Sequence, residues 1–152
     1  MRRSLVELHV HLVWATWDSL ACLDPGICER VHAAIAAKAT ALGCQRVTVG
    51  GVADHVHVLL TLPATLAVAD LVKHLKGNSS HFINATGAMP GLFRWQGSYA
   101  ALSVSSADRA TVQAYLVNQA VHHQQGDVDL ELEQVSDPND EPKPHGGGAP
   151  QD

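Results

Sequence analysis

Two histidines separated by one residue, His55 and His57, have the spacing in this sequence that could most directly support chemistry. They lie in the run 50–60, Gly-Gly-Val-Ala-Asp-His-Val-His-Val-Leu-Leu, which predicts a strand that leaves a tight turn. Because side chains alternate across a strand, both imidazoles would lie on one face. Two imidazoles on one face form an incomplete metal site, although a strand histidine can equally serve only to hydrogen-bond a neighbour.

A second candidate group lies on the last predicted helix. The segment 105–108, Ser-Ser-Ala-Asp, is like a capping box and predicts a helix that runs to about residue 123. On a helical wheel Tyr115 and Gln119 fall on one polar stripe, one turn apart and opposite the alanines and valines. Tyr115 is therefore a candidate nucleophile, although surface tyrosines also occur without any function.

These side chains together could complete a metal site. A mixed set of His55, His57 and Gln119 with open positions suits a hard divalent ion acting on phosphate, Mg²⁺ or Mn²⁺, better than structural zinc. His9 and His11 form a second pair with the same spacing. For these two we expect hydrogen bonding at the edge of the site or simple solvation, and we do not assign them to the metal.

The elements that must position these residues alternate along the chain. Their order, β-α-β-β-α-β-α, predicts an α+β sandwich of the ferredoxin-like or RRM-like class. An antiparallel sheet would have helices on one face, with a C-terminal helix that bears Tyr115. The predicted strands are 5–14, 44–52, 55–62 and 98–104, and the predicted helices are 25–42, a segment from Val68 to Phe82, and 107–123.

Length and charge indicate one domain with an acidic tail. The 152 residues suffice for a single core, and we expect this domain over 1–125 and a flexible tail over 126–152. The net charge of −5 is unevenly distributed, because residues 127–152 hold eight of the fifteen acids and one of the ten bases. The body is therefore mildly basic, which keeps a nucleic-acid partner possible.

The sequence also predicts where the chain would reside. No apolar run approaches the ~18–20 residues that span a bilayer, so we expect no membrane association. The three cysteines are odd in number and lack a CxxC spacing. They predict a reducing, cytoplasmic location without a disulfide framework.

Several side chains are candidate nucleic-acid contacts. Lys73 and Lys76 are neighbours on one helix face and, with Arg94, could contact phosphates, although an ordinary solvated face is as good an interpretation. Trp95 and Phe93 could stack on bases, but we expect at least one of them to pack in the core.

Four segments taken in order resemble the single-tyrosine HUH transposases of the smallest insertion sequences, whose relatives include the REP-associated tyrosine transposases. The resemblance covers about residues 5–123. It is carried by the strand 5–14 with His-Leu-Val-Trp at 11–14, by 51–59 (Gly-Val-Ala-Asp-His-Val-His-Val-Leu), by 95–105 (Trp-Gln-Gly-Ser-Tyr-Ala-Ala-Leu-Ser-Val-Ser) and by 115–123 (Tyr-Leu-Val-Asn-Gln-Ala-Val-His-His).

The resemblance implies a specific activity. His55 and His57 would be the HUH metal ligands, Gln119 the third ligand and Tyr115 the nucleophile, which would form a 5′-phosphotyrosine link and leave a free 3′-OH. The substrate would be single-stranded DNA, often folded as a hairpin. A homodimer is implied, in which the tyrosine helix of one subunit can serve the histidines of the other.

Two other functions remain open from the sequence. After 122–123 the chain continues into Gln-Gln-Gly and the acidic tail, so a domesticated hairpin-binding protein without transposition activity is one alternative. A small metal-dependent phosphoesterase that uses only the histidine pair is the other. Gln119, one turn after Tyr115, favours the transposase, because a phosphoesterase would need neither residue.

Overall fold

The structure, a computed structural model, describes residues 3–17, 24–87 and 91–118. Within these ranges the predicted order of elements and the predicted α+β class are confirmed. The elements are β1 (Leu8–Ala15), α1 (Pro25–Ala41), β2 (Gln45–Val52), β3 (His55–Leu62), α2 (Val68–Thr86), β4 (Ala100–Val104) and α3 (Arg109–Val117).

The four strands form one antiparallel sheet in the order β2-β3-β1-β4. Strand β1 begins at Leu8, three residues later than the sequence predicted, and Leu8 pairs with Leu62 at the end of β3. The next residue, Pro63, has no N–H group with which to extend the ladder. Strands β1 and β3 are the two central strands, and β3 has helices packed on both of its faces.

The larger core lies between one face of this sheet and the helices α1 and α2. The Asp24 side chain starts α1 by accepting a hydrogen bond of 2.8 Å from the Ile27 N–H group. Helix α2 ends at Thr86 and is capped by Gly87, whose φ of 62° is the left-handed conformation that glycine adopts readily. The buried side chains of this core include Leu12 and Trp14 of β1, Val31 and Ile35 of α1, Val58 and Leu60 of β3, and Leu71 and Leu75 of α2.

Helix α3 covers the opposite face, which we call the histidine face because it carries His9, His11, His55 and His57. A smaller apolar cluster forms there from Leu59 of β3 and from Val112, Tyr115 and Leu116 of α3. The polar stripe predicted for Tyr115 is therefore wrong, since Tyr115 is only 9% exposed while Val117 is 67% exposed. The wheel sorted residues by polarity, but the sheet surface under α3 is itself partly polar and accepts a tyrosine.

The connection between β4 and α3 follows the sequence prediction in part. Ser105 Oγ accepts a hydrogen bond of 3.1 Å from the Asp108 N–H group, as the capping-box pattern suggested. The structure describes α3 only as far as Asn118, so Gln119 and the segment 126–152 lie outside the described residues, and the predicted tail stays a prediction. No helix in the described ranges is long and apolar enough to cross a membrane.

Candidate active site

Strand β3 brings His55 and His57 together on the histidine face. His57 is fully buried and His55 is 8% exposed. They stand opposite Ala15 and Val13 of β1 in the sheet register. Their ring centroids are 5.1 Å apart and their planes are inclined by 73°. The alternation predicted from the sequence thus holds, and the pair lies in the middle of the sheet.

Both imidazoles use Nδ1 for a hydrogen bond within the protein. His55 Nδ1 lies 2.7 Å from Asp54 Oδ1, and His57 Nδ1 lies 2.9 Å from His11 Nε2. A metal ion at either ring would therefore be ligated through Nε2. Metal-ligating histidines usually have their other ring nitrogen held in this way, so the two residues fit a metal site.

The turn before β3 is anchored to the end of β1. The Asp54 carbonyl oxygen accepts hydrogen bonds from the Thr16 N–H group at 2.8 Å and from Thr16 Oγ1 at 3.2 Å. Because Asp54 is fixed at its backbone, its carboxylate is also held beside His55. Asp54 is a site residue that the sequence analysis missed, although its position directly before the pair was a usable signal.

Helix α3 brings Tyr115 to the histidines of the same chain. The Tyr115 ring lies edge-on to the His57 ring, with centroids 6.3 Å apart and planes inclined by 78°. At the first turn of the helix, Arg109 donates a hydrogen bond of 2.9 Å to the Arg46 carbonyl oxygen of β2. The candidate nucleophile and the candidate metal ligands thus converge on one side of the sheet.

The predicted third metal ligand, Gln119, lies outside the described residues. Gln119 lies one residue beyond the described part of α3, so its role stays a prediction. Within residues 3–17, 24–87 and 91–118, no group of three or more histidines, cysteines, aspartates or glutamates is arranged to hold a metal ion. A site built on His55 and His57 therefore needs a further ligand of another type or from another part of the chain.

The second histidine pair is buried rather than solvated. His9 is 5% exposed and His11 is fully buried. His9 Nδ1 lies 2.9 Å from Thr61 Oγ1, and His9 Nε2 lies 3.3 Å from Ser106 Oγ. The hydrogen bonding predicted for both residues is confirmed, and the alternative of simple solvation is wrong because α3 and its preceding turn cover this face.

The two lysines predicted to contact phosphates have different surroundings. Lys73 is exposed on α2. Lys76 Nζ donates hydrogen bonds of 2.8 Å to the carbonyl oxygens of both Gln96 and Ser98. Burial lowers the pKa of Lys76. The lysine pair is thus divided between an exposed charge and one that is bound to the 96–98 loop.

The aromatic residues near this loop pack in the core, as the sequence predicted for at least one of them. Trp95 Nε1 donates a hydrogen bond of 2.9 Å to Ser79 Oγ, and the Phe93 ring packs against the indole with centroids 4.8 Å apart. Both rings belong to the core, so Trp95 is a packing residue here rather than an exposed base-stacking one. Arg94 instead lies 4.3 Å above the ring of Trp17, which is 44% exposed.

Comparison with known proteins gives the family. The family model described as "Transposase IS200 like" matches residues 4–119. The chain belongs to the IS200-like transposase family. The match covers every described strand and helix, including the two histidines of β3 and the tyrosine of α3, and it ends at Gln119.

Individual members of the IS200-like family agree with this assignment. The ISDra2 transposase TnpA of Deinococcus radiodurans is 28% identical over 123 residues, which cover 78% of this chain and 88% of that protein. The crystal structure of a candidate transposase from Deinococcus radiodurans R1 is 31% identical, covers 78% of this chain and 95% of its own, and has a TM-score of 0.63.

A more distant structure shares the fold. The REP-associated tyrosine transposase bound to a REP hairpin matches 81% of this chain and 73% of its own with a TM-score of 0.56. Its sequence is only 14% identical, so this likeness concerns the arrangement of strands and helices alone.

Proposed function

We propose that this IS200-like transposase cleaves and rejoins single-stranded DNA with Tyr115 as the nucleophile. His55, His57 and Gln119 would hold a divalent metal ion, Mg²⁺ or Mn²⁺. The observation that carries the proposal is the edge-on contact of the Tyr115 ring with the His57 ring, whose centroids are 6.3 Å apart. Such a contact would bring the attacking oxygen and the phosphate-activating group to one place.

The cleavage step exchanges one phosphodiester bond for another. The phenolic oxygen of Tyr115 forms a bond to the scissile phosphorus, and the bond from phosphorus to the 3′-oxygen breaks. The phenolic proton leaves to a base or to water, and the departing 3′-oxygen takes up a proton to become a free hydroxyl. A metal ion, when bound, supplies positive charge that offsets the charge developing on the phosphate.

The rejoining step is the reverse of cleavage with a different strand end. A 3′-hydroxyl attacks the phosphotyrosine, forms a new bond to phosphorus and releases the Tyr115 oxygen. The number of phosphate ester bonds is unchanged throughout, so no external energy source is needed. A buried tyrosine helps, because water that reached the link could hydrolyse it instead of leaving it for the second strand.

Hairpin-forming single-stranded DNA is the proposed substrate. A structural neighbour with the same fold was solved bound to a REP hairpin, and this chain carries exposed cations at Lys73 and Arg94. Trp17, which is 44% exposed beneath the Arg94 guanidinium, offers an aromatic face for a base. We also propose a homodimer, as the resemblance implies, which analytical ultracentrifugation would test.

The decisive experiment detects the covalent protein–DNA adduct. Labelled oligonucleotides from the DNA that flanks the gene, folded as hairpins, would be incubated with the full chain and Mn²⁺, then separated on a denaturing gel. We expect an adduct with the unaltered protein, and none with Tyr115→Phe or after chelation of the metal. Tyr99→Phe is the matched control, because Tyr99 is the other tyrosine of the chain and should leave the adduct intact.

The same experiment separates the alternatives. Hairpin binding by the unaltered chain without any adduct, equally strong in Tyr115→Phe and His57→Ala, would identify a domesticated DNA-binding protein. Turnover of a small phosphodiester by Tyr115→Phe would identify a metal-dependent phosphoesterase. An adduct that persists in Tyr115→Phe would refute the assignment of the nucleophile.

A further inference from the structure

A buried histidine outside the HUH pair contacts one of its members. His11 of β1 is fully buried, and its Nε2 lies 2.9 Å from Nδ1 of His57. The two rings lie edge to edge and nearly in one plane, with centroids 5.1 Å apart and planes inclined by only 15°. A polar ring in such a position costs free energy unless it is hydrogen-bonded, and the next residue on the same face of β1, Val13, is apolar.

The hydrogen bond between the two imidazoles determines which nitrogen of His57 can bind a metal. A neutral imidazole carries one proton, and a nitrogen that bears this proton cannot be a metal ligand. If His57 donates from Nδ1 to His11 Nε2, the lone pair of His57 lies on Nε2. The opposite arrangement, with His11 as the donor, would place the proton of a neutral His57 on Nε2 and exclude the metal.

We propose that His11 is a positioning residue, which accepts a hydrogen bond from His57 Nδ1 and thereby directs His57 Nε2 at the metal ion. This inference rests on the proposed function, because it assumes that His57 is a metal ligand. The near-coplanar geometry supports this role, since it places the hydrogen bond close to the planes of both rings, where the ring N–H group and the nitrogen lone pair point.

The two metal ligands are thus held by different kinds of partner. The carboxylate beside His55 belongs to the adjacent residue, Asp54, whose side chain is 39% exposed. The partner of His57 is a fully buried side chain from the neighbouring strand. An imidazole acceptor brings no negative charge into the sheet, so the function of His11 is to fix orientation and tautomer rather than to add charge.

Three variants test the proposal through binding of Mn²⁺, measured by electron paramagnetic resonance of the free ion. His11→Phe keeps a ring of similar size but removes the acceptor, and we expect Mn²⁺ affinity to fall about 10- to 100-fold. His11→Gln places an amide oxygen near the position of Nε2, so we expect affinity within about threefold of the unaltered chain. His9→Phe is the control, because His9 is buried on the same face but contacts Thr61 and Ser106 instead.

A measurement on the unaltered protein avoids any question of folding. Long-range proton–nitrogen NMR of the chain labelled with ¹⁵N-histidine, in the presence of Mg²⁺, reports which nitrogen of His57 carries the proton. The His57 signals are identified by their loss in His57→Ala. We expect the proton on Nδ1.

The outcomes are distinct. A His57 proton on Nε2, an unchanged Mn²⁺ affinity in His11→Phe, or an equal loss in His9→Phe would overturn the positioning role while leaving the metal site in place. Absence of Mn²⁺ binding by the unaltered chain, or undiminished binding by His57→Ala, would instead refute the proposed metal site itself, and the role of His11 with it.

Discussion

Gly50 of β2 lies so close to Leu116 of α3 that a Cβ atom on residue 50 would overlap the carbonyl group of Leu116. Gly50 stands opposite His57 in the sheet register. The absence of a side chain at this position therefore lets the helix backbone rest directly on the sheet beside the candidate site, one residue after Tyr115.

Gly50→Ala should displace α3 from the sheet. We expect a loss of about 1–3 kcal/mol in the free energy of unfolding, because the methyl group meets backbone that cannot rotate away. The backbone amides of α3 should lose protection in hydrogen exchange, and adduct formation by Tyr115 should fall more than about tenfold, because a small displacement from the reactive geometry slows chemistry strongly.

Gly77→Ala is the matched control for this change. Gly77 is inside α2, and apart from its own helix backbone and its two chain neighbours no atom lies within 4 Å of the position that its Cβ atom would take. We expect it to stabilise the protein by about 0.5–1 kcal/mol in urea unfolding, since alanine favours the helix. Unaltered protection of the α3 amides in Gly50→Ala would mean that the helix does not rest on β2 in solution.

Ser79→Ala should destabilise the core around Trp95. Ser79 is fully buried and its hydroxyl is the acceptor for Trp95 Nε1, so the substitution leaves a buried N–H group without this partner. We expect a loss of about 1–3 kcal/mol in urea unfolding. Ser80→Ala on the same helix, where Ser80 Oγ donates to the Gly77 carbonyl oxygen at an exposed position, should change stability by less than about 0.5 kcal/mol.

The helices and strands were easier to predict from the sequence than the side-chain contacts between them. Alternation predicted the face shared by His55 and His57, and the segment 105–108 indicated the start of the last helix. The register of β1 against β3 depends on contacts between residues about 46 positions apart, so the bond between His11 and His57 could not be read from either strand alone.

The prediction of which face of the tyrosine helix is buried was wrong for a related reason. A helical wheel assumes that the surface beneath a helix is apolar, and here that surface carries four histidines. The sequence could not decide which of Phe93 and Trp95 packs in the core, because the serine that satisfies the Trp95 indole lies 16 residues away on another element. The exposed position of Trp17 was not predicted, since no pattern in the neighbouring sequence indicates which of the three tryptophans is exposed.

Lys73 and Lys76 should respond differently to substitution, although they are neighbours on α2. Lys76→Met removes two hydrogen bonds from a charged donor to the 96–98 loop, and we expect a loss of about 1–3 kcal/mol in the free energy of unfolding. Lys73→Met should leave stability within about 0.5 kcal/mol, because Lys73 is exposed.

The order of the two lysine variants should be reversed for DNA binding, where Lys73→Met should have the larger effect. Lys73→Met should weaken hairpin binding and lower the slope of log affinity against log salt by about one, as expected for loss of one phosphate contact. Fluorescence anisotropy at several salt concentrations measures both. If Lys76→Met alone reduced this slope, the Lys76 ammonium would have to leave the loop carbonyls when DNA binds.

His32 should make stability depend on pH below neutrality. Its Nε2 is buried and has no hydrogen-bond partner in the part of the chain that the structure describes. Burial lowers the pKa of His32 from its usual 6.5, and the nearby Glu29 carboxylate only partly opposes this effect. As pH falls below 6.5, the unfolded chain binds a proton that the folded chain takes up only at lower pH, so stability decreases through this window.

His32→Leu removes the loss of stability that protonation of His32 causes at low pH. Comparing this variant with the unaltered protein separates the effect of His32 from that of the other histidines. We expect the free energy of unfolding, measured in urea at pH 7.5 and at about pH 5, to fall less in the variant than in the unaltered protein. His81→Gln on α2 is the control, because His81 is exposed and folding leaves it in water. An identical decrease in His32→Leu and the unaltered chain would show that the acid sensitivity arises elsewhere, with the histidine face as the next group to vary.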